Sequence, residues 1–162
     1  MGQQPIELFM PPNMLKGKVG GGGGGSVDLA AAIKRAESAM EQLKGEFSGM
    51  ASDAVGALST AHQAYTAKPD PGSRAALLRA SIDIKGLAAT FDFPLMARVA
   101  GSLSRLLGET PENRPLPLKL VEAHVAAVQV IHRKSITGMD DKLTLALLAE
   151  LESQVGAALK PN

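Results

Sequence analysis

The stretch Ala80–Pro94, "ASIDIKGLAATFDFP", decides the fold class, because it is apolar at helical spacing and yet places Lys85 and Gly86 side by side in its middle. At about 100° per residue, Leu77, Ala80, Ile84, Leu87, Ala88 and Phe91 fall on one side of a helix and make a core stripe. The opposite side holds Ala75, Leu78, Arg79, Ile82, Lys85, Gly86 and Ala89. A glycine inside a helix costs about 1 kcal/mol relative to alanine, so something other than local helix stability keeps Gly86 there. Asp70 before Pro71 is the N-cap and first-turn signal that opens this helix, and Phe93–Pro94 closes it.

The same period extends in both directions. Upstream, Leu29, Ile33, Ala36, Met40 and Leu43 predict a helix from Ser26 to about Glu46, and Val55, Leu58 and Ala61 or His62 predict a second from about Met50 to Thr66. Downstream, Val99, Leu103, Leu106 and Leu107 predict a helix that stops at Gly108, before the proline-rich loop "ETPENRPLP". A fifth helix, about Pro117 to Ser135, carries Leu120, Val121, His124, Val125, Val128 and Ile131, with Gly138 as its C-terminal cap. Asp140 or Asp141 caps a sixth, Lys142 to Leu159, with Leu145, Leu148, Leu151 and Val155 aligned. Short connections make sequential helices antiparallel neighbours, so the expectation is an all-α antiparallel helical bundle over residues 26–162.

Residues 1–25 read differently. Ile6, Leu8, Phe9, Met10, Met14 and Leu15 lie among prolines that forbid a long helix, and Gly20–Gly25 favours no single conformation. Such a glycine run spans only about 13 Å root-mean-square, which keeps this apolar tail near the bundle, where it packs back as an arm, offers a partner-binding segment or stays disordered.

Composition narrows the function classes. With 17 Lys+Arg against 16 Asp+Glu, the net charge of +1 supplies no global attraction to nucleic acid or an acidic membrane. The absence of cysteine excludes thiolate chemistry and Cys-based zinc sites and fits a reducing, cytoplasmic address. No secretory leader and no apolar run of the length of a membrane span is visible. Aromatic content of 3% with no Trp leaves Leu, Ala, Val, Ile and Met to fill a core of close-packed helices.

Ile82-Asp83-Ile84-Lys85-Gly86, followed by Phe91 and then by "PLMARVAGSLSRLL", resembles the histidine-containing phosphotransfer (HPt) domain family of bacterial phosphorelays. That family presents His-x-x-Lys-Gly on an exposed helix face of a four-helix core, and Ile82 stands where its phosphoryl-accepting histidine would be. The resemblance spans about Ala75 to Leu107. It implies a cytoplasmic signalling protein whose partners are response-regulator receiver domains or histidine kinases. An isoleucine has no lone pair to attack phosphorus, so the family's chemistry is lost at this position and docking geometry is left. The expected docking face is Leu78, Arg79, Ile82, Lys85, Gly86 and Ala89, an apolar centre with a basic rim. The competing reading of the same residues is that Ile82 and Leu78 pack beneath the first helix or the tail.

Other chemistry-bearing residues form no recognisable set. His62, His124 and His132 are the only histidines; His124 and His132 are about 80° out of phase on one helix and have no completing carboxylate, so no metal site is expected. His124 is the best candidate for a displaced phosphoacceptor. Ser102 and Ser104 lack a nucleophile elbow, and no glycine-rich phosphate loop occurs, so neither an enzyme nor a bound cofactor is expected. The arginines and lysines are interspersed with acids and lack aromatic stacking platforms, as on solvated helix faces and not on nucleic-acid binders.

Overall fold

The computed structural model describes residues 25–161, and the expectations for the apolar tail fall outside the described residues. Five helices make up the regular structure among these residues: α1 (Gly25–Ala67), α2 (Pro71–Thr90), α3 (Pro94–Glu109), α4 (Leu118–Arg133) and α5 (Lys142–Ala158). No strand occurs among them, and the all-α expectation holds.

The first two predicted helices are one. Residues 47–49, expected as a break, continue α1, although Gly45 and Gly49 each cost about 1 kcal/mol there. Phe47 between the glycines explains the continuity: it is buried and stacks on Phe93 with ring centroids 3.9 Å apart, and it also meets Phe91 at 5.2 Å. Helical spacing from Phe47 through Ala51, Val55 and Leu58 then keeps one stripe in the core. Burial of that stripe outweighs the local preference for a break.

The described residues divide within α1, after Met40, into two units, the larger of which begins at Glu41. In the larger, α3 is the central element and touches α2, α4 and α5. Its Leu95, Met96, Val99, Ala100, Leu103, Leu106 and Leu107 are all buried, which is why this helix reads as apolar at nearly every turn. Against it lie Leu77, Ala80, Ile84 and Ala88 of α2, Val121, Val125 and Val128 of α4, and Leu148, Leu151 and Val155 of α5.

Local sequence sets the helix ends. Asp70 accepts from the Ser73 N–H at 2.8 Å while Ser73 Oγ accepts from the Asp70 N–H at 3.1 Å, a reciprocal capping box. That backbone hydrogen bond, with Lys68 beside it, holds the Asp70 carboxyl below the usual carboxylate range. Asp141 caps α5 through the Leu143 and Thr144 N–H groups. At the other ends, Asp92 (φ 59°) and Ser135 (φ 50°) take the left-handed conformation, and the N–H of the following residue returns to Ala88 and to Ile131 respectively. The chain thus turns at Ser135, three residues before the expected cap at Gly138, where the Ile136 N–H closes on the Ile131 carbonyl. Arg74 satisfies the last carbonyls of α3, donating to Leu107 at 2.7 Å and also to Thr110.

Candidate docking face

The outer side of α2 is open. Ile82 is 51% exposed, Arg79, Lys85, Gly86 and Ala89 are exposed, and Leu78 is partly buried against the core. A Cβ built on Gly86 would meet nothing within 4 Å, so the glycine is not there to seat a neighbouring helix of this unit. The six residues expected on one face share it, and no other described segment of the unit Glu41–Asn162 covers Ile82. Asp83 is exposed, one position away around the helix.

Lys85 reaches across to α3. Its Cδ and Cε lie 3.6 and 3.7 Å from where a Cβ on Gly101 would stand, so Gly101 leaves the groove in which the lysine stem rests. Lys85 thereby borders a cleft of about 440 Å³ with Ala97, Arg98, Gly101, Ser102, Arg105, Glu152 and Val155. Two of the three cations are already matched. Arg98 grips Glu152 with contacts of 2.7 and 2.8 Å, joining α3 to α5, and Arg105 reaches Glu109 at 3.2 Å. Lys85 makes no ion pair among the described residues, so it carries the surplus positive charge of this rim.

Ser102 at the floor of the cleft holds a relationship that sequence reasoning missed. His124 is fully buried; its Nδ1–H donates to the Leu120 carbonyl at 2.7 Å, which leaves Nε2 to accept from the Ser102 hydroxyl at 3.0 Å. Burial pushes the His124 pKa down, so the ring is neutral. Both ring nitrogens are occupied and neither meets solvent, which removes His124 as a displaced phosphoacceptor. Its place on the apolar stripe between Val121 and Val128 was the available signal, since a buried imidazole requires partners. His132 pairs with Ser52 on α1 at 3.2 Å. No group of His, Asp or Glu side chains suited to a metal ion occurs among the described residues.

Comparison with family models, with curated proteins and with solved structures gave no match. No helix among the described residues is long and apolar enough to cross a membrane.

Proposed function

We propose that this chain is an HPt-like docking module that binds a receiver domain or a histidine kinase of a two-component pathway through the outer face of α2, without accepting phosphate at position 82. Its role is that of an adaptor or competitive inhibitor in the cytoplasm. One observation carries the reading: a half-exposed isoleucine stands one turn from an uncovered glycine and beside a lysine that lacks a carboxylate partner among the described residues. An exposed apolar centre edged by Arg79 and Lys85 suits a partner whose own surface is apolar around an acidic pocket, as the resemblance to the HPt family implies for a receiver. The helix supporting Ile82 is anchored from behind by Leu77, Ile84 and Ala88, so the face is rigid before a partner arrives.

The deciding experiment is binding of isolated receiver domains to the full chain at low and high salt. Lys85→Ala should weaken association about tenfold at low salt, and the difference should shrink as salt screens the rim. Equal affinity of Lys85→Ala and the natural chain at low salt rejects this face. Ile82→His adds a second readout: transfer of a phosphoryl group to the variant shows that the surrounding geometry still receives a phosphorylated receiver.

A further inference from the structure

We propose that the N-terminal part of α1 pairs, antiparallel, with the same segment of a second copy of this chain, through Leu29, Ile33, Ala36 and Met40. These residues are separated by four, three and four positions, and Leu43 follows three later. That alternation averages 3.5 residues and is the repeat of a helix that winds on another helix, because it holds one apolar seam toward the partner along the whole contact. No described residue of its own unit covers the seam: Leu29 is 62% exposed, Ile33 50% and Met40 60%, and every residue from Asp28 to Glu46 is exposed. A helical stretch with no buried side chain gains nothing from packing, while most helical stability in proteins comes from a packed amphipathic face.

The segment complements itself, which selects a second copy as the occupant. When two such helices run antiparallel with Ile33 level with Ala36 of the second copy, Leu29 comes level with Met40, so these four residues of each chain face one another and Leu43 lies beyond the paired layers. A branched side chain then faces a methyl group at each of the two central layers, and long side chains face each other at the outer ones. Lys34 of each copy falls within about 3 Å, along the axis, of Glu37 of the other, so opposite charges meet on the flank of the seam. Ala30, Ala32 and Ala39 beside the seam allow the backbones to approach closely. Pairing in this register ends before Phe47, whose side chain is already buried.

The test uses the full chain. Sedimentation equilibrium from about 1 μM to 1 mM should show reversible dimerisation at concentrations typical of a short, standard-sized or smaller contact. Ile33→Glu, at an exposed position that a good helix former can occupy, should leave the circular dichroism unchanged and raise the dimer dissociation constant by about 100-fold. The absence of native cysteine makes orientation readable: a mixture of Leu29→Cys and Met40→Cys chains should form the 29–40 disulfide faster than either 29–29 or 40–40. A monomer at every concentration overturns the proposal, whether the seam stays bare or is covered by residues 1–24 of the same chain. Preference for the 29–29 and 40–40 links, or a dimer indifferent to Ile33→Glu, overturns it as well.

Discussion

The Ser102 hydroxyl donates to Nε2 of His124 at 3.0 Å, and this bond joins α3 to α4 inside an otherwise apolar interface. Ser102→Ala removes the partner of an imidazole lone pair on a fully buried residue, so it should cost about 1–3 kcal/mol in urea unfolding. Ser104→Ala is the control. Its hydroxyl returns to the Gly101 carbonyl in the same helix at 2.9 Å, and its loss should change stability by less than about 0.5 kcal/mol.

The same burial gives a pH dependence with a fixed sign. His124 is held below its ordinary pKa of 6.5, mainly by desolvation, while in the unfolded chain it takes a proton near that value. Its contribution is complete above pH 6.5 and declines as the pH falls toward the folded pKa, because only the unfolded state binds the proton in that window. Thermal unfolding between pH 8 and 5 should show a slope of at most about 1.4 kcal/mol per pH unit from this group. His124→Gln should remove that part of the slope; an unchanged slope would mean that the imidazole titrates as freely folded as unfolded.

Gly86→Ala separates stability from docking. Nothing stands within 4 Å of the added carbon, so the variant should be more stable by about 1 kcal/mol in denaturant unfolding. Gly86→Leu should also fold, and it should lose receiver binding if the gap beside Ile82 is what a partner enters. Receiver affinity unaffected by the leucine would place the contact elsewhere.

Phe47→Ala tests why α1 is continuous. The ring is buried between Phe91 and Phe93, and its removal should cost about 3–5 kcal/mol. Hydrogen exchange should then speed up around Gly45 and Gly49 more than around Leu58.

Ser135→Gly should stabilise the chain. Ser135 holds a φ of 50°, which disfavours a side chain, at the position where α4 turns away. Relief of that strain exceeds the added entropy of the unfolded glycine, and a gain of about 0.5–1 kcal/mol is expected by thermal unfolding.

The sequence alone determined that the described chain is helical and which faces are apolar, since periodicity, capping residues and prolines act over a few neighbouring residues. It also placed Leu78, Arg79, Ile82, Lys85, Gly86 and Ala89 on one side of α2, because their angular positions follow from helix geometry alone. Tertiary structure decided three things that no local rule reaches. It fused the first two helices, because burial of Phe47 against Phe93 outweighs two glycines. It closed His124 away from any phosphodonor by setting it against Ser102, 22 residues earlier in the chain. Finally, it left Ile82 and the seam at Leu29–Met40 uncovered by any described part of the unit each belongs to, a fact about which surfaces meet, and surfaces meet through distant packing that spacing along one helix cannot encode.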